Sequence, residues 1–292
     1  MAAAVDIPAP SALAKPAAPH IVDVLIAERA PRLVASPAWP LLRPALYALL
    51  DYNKARAMAE AVAPMGGREA LDYAARLLDL KIEVRGLQNV PQGGRLIVIA
   101  NHPTGLADGL AAREALRPVR PDLMFFANAD AHRVNPRLDE VFIPVEWVPA
   151  KRTRERARLA LERSIATLEA EKALIIFPAG RIARTGAHGA TVDPPWASSP
   201  ISLARRSGAS ILPVHVKGPP PTLFRLFDKV SAELRDITLF HELLNKQGRR
   251  FELTIGAPIP ARALGADAAA ATLRLKRYVE RELPAQPDAP FA

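Results

Sequence analysis

His102 and Asp108 are the two residues in this sequence best suited to moving a proton together. They lie in the run Ala-Asn-His-Pro-Thr-Gly-Leu-Ala-Asp-Gly at positions 100 to 109, with five residues between them. A histidine side chain titrates near neutrality, so it serves as a general base at physiological pH. A carboxylate on the far ring nitrogen fixes the tautomer and stabilises the imidazolium that forms. Taken alone, the pair also admits a plain reading, in which Asp108 caps the start of a helix and His102 is a polar loop residue.

The rest of the chain narrows the chemistry. There is no cysteine and no Gly-x-Ser-x-Gly elbow, so the usual covalent acyl carriers are missing. Direct attack of a bound hydroxyl or amine on a bound thioester is then the simplest scheme for a His/Asp dyad. The run Phe177-Pro178-Ala179-Gly180-Arg181-Ile182-Ala183-Arg184 adds cations. Guanidinium groups grip phosphate or carboxylate oxygens in a bidentate fork. Arg181 and Arg184 are both candidates for an anionic substrate group, and the sequence does not choose between them. Gly180 permits close backbone approach, and it and neighbouring amides are candidates to stabilise an oxyanion.

Positioning these groups calls for an α/β sheet. Apolar or alternating runs at 82–85, 96–100, 123–127, 141–145, 173–177, 211–216 and 251–255 have strand length. Helical spacing is read at 109–116, 153–170 and 200–207, so strands alternate with helices. This predicts an α/β fold: a mixed, partly parallel sheet covered by helices. His102 then follows the strand 96–100, at the carboxyl edge where such sheets bind ligands. Amphipathic helices are expected upstream, carrying Ile21, Val22, Leu25 and Ile26, then Leu46, Leu49 and Leu50, then the stretch Arg68 to Leu80. They either pack on a core of their own or meet a membrane. The expected division is a disordered terminus at 1–19, a helical membrane-associating region at 20–80, an α/β domain at 81–283 and a flexible tail at 284–292.

With these residues in hand, the sequence resembles the glycerolipid acyltransferases, the lysophosphatidic-acid-acyltransferase family. Four blocks carry the resemblance in family order: Asn101-His102-Pro103 through Asp108-Gly109; Phe125-Phe126-Ala127-Asn128 through Phe142-Ile143-Pro144-Val145; Phe177 to Arg184; and Ile211-Leu212-Pro213-Val214-His215-Val216. They span roughly residues 80 to 220. The five-residue spacing between His102 and Asp108 is that of a bacterial lysophospholipid and ornithine-lipid branch, and the segment Phe224 to Gly256 is similar to the C-terminal part of the hemolysin-like branch. In the third block Ala179 stands where the family has Glu. The resemblance implies fatty acyl transfer from acyl-CoA or acyl-carrier protein to the hydroxyl of a lysophospholipid such as 1-acylglycerol-3-phosphate. It implies His102 and Asp108 as catalytic residues, and Asn101, Asn128, Gly180, Arg181 and Arg184 at the substrate. Lyso-ornithine lipid or a similar aminolipid is the alternative acceptor. A non-catalytic membrane- or nucleic-acid-binding protein with this fold is the reading from another class.

Charge and composition bear on partners. The formal net charge is +9, which draws a chain to polyanions. Aromatic residues are sparse and no nucleic-acid motif is present, so an anionic membrane surface and phosphate ligands are expected ahead of nucleic acid. The expected location is peripheral, on the cytoplasmic face of the inner membrane. The absence of cysteine is compatible with a reducing setting, and residues 1–19 lack the basic start and apolar run of a signal peptide. No stretch reaches the length of a spanning helix. The basic run Lys151, Arg152, Arg154, Arg156 and Arg158 reads as a solvated helix face, or as a site for coenzyme A phosphates at its first residues. His215 reads as a satisfied strand histidine, and His188 as part of a Gly-rich loop. Asp130 and His132 lack further ligands at metal spacing, so no metal and no cofactor are expected.

Overall fold

The structure, a computed structural model, describes residues 18–146, 153–186 and 191–291. Seven strands form one sheet: β1 (Lys81–Arg85), β2 (Leu96–Ala100), β3 (Leu123–Asn128), β4 (Phe142–Val145), β5 (Ala173–Ile176), β8 (Ser210–Lys217) and β9 (Arg250–Ile255). Two short strands, β6 (Arg184–Thr185) and β7 (Thr191–Val192), pair separately as an antiparallel ribbon. The sheet order is β1-β9-β8-β2-β5-β3-β4. From β8 to β4 every neighbour pairs in parallel. β9 runs antiparallel to β8, and β1 follows β9 in parallel at the edge. All seven strands fall within a residue or so of the runs expected from the sequence.

Burial explains the order. β2 and β5 are apolar at every position and buried at every position, as strands covered on both faces must be. β1 alternates exposed and half-buried residues, as suits an edge strand with one solvated face. Helix α6 (Leu106–Leu116) covers one face, packing Ala107, Ala111, Ala112 and Leu116 on Val98, Ala100 and Ile175. Helices α8 (Arg154–Glu169), α9 (Ser199–Ser207) and α13 (Ala268–Arg277) cover the other, where Leu168, Ile201 and Leu275 meet Ile97, Ile99 and Leu174. At roughly 25 cal/mol per Å² of apolar surface removed from water, these two faces supply most of the driving force.

The upstream region holds five helices: α1 (Ile21–Arg29), α2 (Pro31–Val34), α3 (Trp39–Leu49), α4 (Tyr52–Val62) and α5 (Gly67–Leu78). α2 and α4 were not foreseen as separate elements. Val22, Ile26, Leu50, Ala55 and Ala59 form a small core with Ile237, so α1 and α4 pack on helices that lie far downstream. Those partners are α7 (Ala129–Val134), α10 (Thr222–Asp228), α11 (Ala232–Asp236) and α12 (Leu239–Leu244). Polar ties reinforce the contact: Arg29 Nη2 donates to Asp130 at 2.7 Å, and the Glu233 carboxylate accepts the Arg32 and Leu33 amides. α3 differs, for it buries no residue and leaves Leu41 84% exposed, with Leu42 and Leu49 also exposed. A cavity of about 550 Å³ lies between α1 and α3, lined by Asp23, Val24, Trp39, Arg43 and Tyr47, and shares no residue with the His102 site.

Two other expectations meet a different structure. Residues 284–291, expected as part of a flexible tail, are held on the fold: the Tyr278 hydroxyl donates to Ala289 O at 2.7 Å and Phe291 packs edge-on against the Tyr278 ring. Proline content suggested a loose chain, whereas Phe291 joins the apolar cluster on the sheet. The basic run is divided. Lys151 and Arg152 lie outside the described residues, as does His188. Arg154, Arg156 and Arg158 are on the exposed face of α8, where Arg158 pairs with Glu162 and Arg156 with Glu146.

Candidate active site

Three strands end at one edge of the sheet, and each delivers part of the site. β2 runs into Asn101 and His102, β5 into Phe177-Pro178, β8 into Gly218, and the ribbon of β6 and β7 lies beside them. His102 and Asp108 meet here. The His102 Nδ1 is 3.0 Å from Asp108 Oδ2, and the two side chains are 6% and 0% exposed.

The aspartate gets there by local geometry. α6 begins at Leu106 with Gly105 as its cap, three residues earlier than the sequence suggested. Asp108 is therefore not the cap residue but sits in the first turn. From there its carboxylate reaches back to accept the Thr104 amide at 2.9 Å, the Gly105 amide at 3.0 Å and the Thr104 hydroxyl at 2.6 Å. These are amides that a helix start leaves unpaired. Holding the helix start and contacting the histidine ring are thus one arrangement. The turn needs glycine at 105: φ is +104°, and an added Cβ would fall 2.9 Å from Ile182 Cδ1.

His102 is fixed from four sides. Asp108 takes its Nδ1. Phe177 stacks on the ring, with centroids 4.5 Å apart at 29°. Its carbonyl accepts the Ala183 amide at 2.8 Å. Its own amide donates to both carboxylate oxygens of Asp193, each at 3.1 Å. Nε2 has no hydrogen-bond partner among the described residues, yet it is not a sealed unpaired atom. The imidazole therefore presents a free nitrogen to whatever enters the edge.

Asp193 was not anticipated from the sequence. It is 5% exposed, accepts the Trp196 indole N–H at 2.9 Å, and donates its own amide to Glu280. Burial pushes its carboxyl up to about 6, against the pull of the Trp196 and His102 hydrogen bonds. Asp-Pro-Pro-Trp reads as a loop, and only the contact with His102, 91 residues away, reveals the role.

The other expected site residues divide. Asn101 is committed to structure: its amide donates to Val216 O at 2.9 Å and accepts Val216 N at 2.7 Å, stapling β2 to β8 where their ladder ends. Asn128 caps α7, accepting the Asp130 amide. Gly180 has φ +59° and its amide donates to Phe177 O at 2.9 Å, so it closes a turn and its N–H is not available to an oxyanion. The bond from Ala183 to the His102 carbonyl places the Arg181–Arg184 segment beside the dyad. Arg181 is exposed, while Arg184 lies 3.8 Å from Asp228 on α10. His215 Nδ1 donates to Val279 O at 2.9 Å, as in a satisfied strand histidine. Among the described residues no group of three or more His, Asp or Glu is arranged to hold a metal.

Residues 81–217 match the family model described as Acyltransferase. The lyso-glycine lipid O-acyltransferase of Phocaeicola vulgatus is 25% identical over 204 residues, covering 66% of this chain and 70% of that protein. The enzyme of the same name from Bacteroides thetaiotaomicron is 26% identical over 202 residues, covering 66% and 71%. Among solved structures, the 1-acyl-sn-glycerophosphate acyltransferase PlsC of Thermotoga maritima aligns over 91% of this chain and 95% of its own, with 15% identity and a TM-score of 0.48.

Proposed function

We propose that this chain, an acyltransferase similar to lipid O-acyltransferases over residues 81–217 and beyond, moves a fatty acyl group from a thioester, acyl-CoA or acyl-carrier protein, to the free hydroxyl of a lysolipid. The observation that carries the reading is the buried His102–Asp108 pair with Nε2 left open at the carboxyl edge of the sheet. Asp108 accepts the Nδ1 proton and so keeps the lone pair on Nε2. The acceptor hydroxyl gives its proton to Nε2 as its oxygen attacks the thioester carbonyl. The tetrahedral intermediate collapses, the C–S bond breaks, and the imidazolium returns the proton to the thiolate. General-base assistance of this kind is worth about 10²- to 10⁴-fold. No cysteine is present to carry a covalent acyl group.

Relatives named lyso-glycine lipid O-acyltransferases favour an aminolipid acceptor over 1-acylglycerol-3-phosphate. An amino-acid headgroup offers a carboxylate to a guanidinium, and Arg181 is an exposed cation two residues from Ala183, which bonds the His102 carbonyl. Arg184 shares its charge with Asp228 and plays the lesser part. A glycerophosphate acceptor is the second reading, supported by the same arginines.

The enzyme would work at an anionic membrane surface. No described helix is long and apolar enough to cross a bilayer. α3 instead offers Leu41, Leu42 and Leu49 beside Arg43, the pattern of a helix lying in the interface. The test of function is to incubate the protein with palmitoyl-CoA or palmitoyl-carrier protein and a panel of lyso-glycine, lyso-ornithine and lysophosphatidic lipids, and to identify products by mass spectrometry. Acylation of an aminolipid is the expected result. Product from lysophosphatidic acid alone would shift the reading to the second acceptor, and no product from any lysolipid would refute it.

A further inference from the structure

Asp193 belongs to a strap that crosses the edge of the sheet. It follows β7, and the next residues, Pro194 and Pro195, have fixed φ and no N–H. Trp196 then turns its indole back to Asp193 Oδ2, and the Ala197 amide donates to Pro178 O at 3.0 Å. One short segment therefore ties down the ends of both β2, through His102, and β5, through Pro178. The strap is anchored at its far side as well. Glu280 takes the Asp193 amide with one oxygen and Lys276 of α13 with the other.

Resting on the assignment of His102 as general base, we propose that Asp193 is a positioning residue. It is a second buried carboxylate that holds the backbone of the base while Asp108 holds its ring. Its two oxygens receive the His102 amide, and one of them also receives the Trp196 indole. A carboxylate suits the place because the His102 amide faces both of its oxygens. An amide at this position has one acceptor oxygen and would set its NH2 against a donor. When Asp193 takes up a proton the same conflict arises, since the O–H then faces an N–H. The position of His102 is thereby linked to the charge on Asp193, whose carboxyl burial has pushed up to about 6. The groups that face it are His102, whose charge favours the ionised form, and Glu280, which opposes it with Lys276 at its back.

The experiment measures kcat and KM against pH for wild type, Asp193→Asn, Trp196→Phe and His102→Ala, with palmitoyl-CoA and a lyso-glycine lipid, alongside thermal melting of each. For Asp193→Asn the expected result is kcat lowered roughly 10- to 100-fold with KM within about threefold, as for loss of positioning. The acid limb of its profile is expected to flatten from a slope approaching two protons to about one. Trp196→Phe removes the indole N–H, a bond that favours ionised Asp193, together with the pyrrole ring of a buried side chain. Its acid limb is expected to move to higher pH, a shift that the lower melting temperature from the lost ring would not by itself produce. This variant decides the matter if Asp193→Asn fails to fold. A wild-type kcat and acid limb in Asp193→Asn, or an unmoved limb in Trp196→Phe, while His102→Ala is inactive, would overturn the proposal and leave the dyad standing. Full activity in His102→Ala would overturn both.

Discussion

Asp108 shows how much chemistry one side chain concentrates. Its two oxygens receive four donors: the His102 ring, two backbone amides and the Thr104 hydroxyl. Asp108→Asn keeps one acceptor oxygen, and the Thr104 hydroxyl can turn to accept from the new NH2, so the fold persists. What is lost is the negative charge that stabilises the imidazolium. The expected outcome is a fall in kcat of about 10²- to 10⁴-fold with KM little changed, checked by steady-state kinetics. His102 and Asp108 were legible in the sequence because the spacing and the order of blocks single them out. Asn101 and Gly180 were legible as important but not in role: an Asn beside a histidine reads as a ligand group, and only the pairing with Val216 shows it to be a staple between strands. Asp193 was not legible, because its partners lie in other blocks and its neighbours are prolines that suggest a loop.

At the scale of elements, the strands were readable because each central one is a continuous apolar run. The α6 boundary was not, since Gly105 rather than Asp108 starts the helix, and a glycine cap leaves little trace in sequence. The tail escaped for a similar reason: Phe291 is a lone aromatic whose docking on Tyr278 depends on tertiary contact. The strap carries its own stability signature. Asp193 has a carboxyl raised in the fold, so between about pH 4 and pH 6 the folded protein holds a proton that the unfolded chain has released. The contribution of this group to stability therefore falls as pH rises through that window. Asn at 193 does not titrate. The melting temperature of Asp193→Asn minus that of wild type is expected to become more positive from pH 4.5 to pH 8. A difference that is flat or falls with pH would show that the carboxyl is not raised.

Across the whole molecule, a basic surface and the outward leucines of α3 belong to the same proposal. The sequence left open whether the upstream helices pack or meet lipid. The structure divides them: α1 and α4 pack on α7 and α10–α12, while α3 lays Trp39 and Tyr47 on that core and leaves its leucines exposed. Replacing both Leu41 and Leu42 by Ser removes two exposed apolar side chains and no buried contact. Co-sedimentation with vesicles containing phosphatidylglycerol is expected to weaken several-fold while the melting temperature holds. Binding of wild type is expected to fall with added salt, as suits a chain of net charge +9.

The central claim is that His102 is the base in lysolipid acylation. Its most direct test is mass spectrometry of the lipid product formed from palmitoyl-CoA and a lyso-glycine lipid by wild type and by His102→Ala under identical conditions. The expected result is an O-acylated product with wild type and a rate lower by about 10²-fold or more with His102→Ala. Equal rates from the two proteins would contradict it.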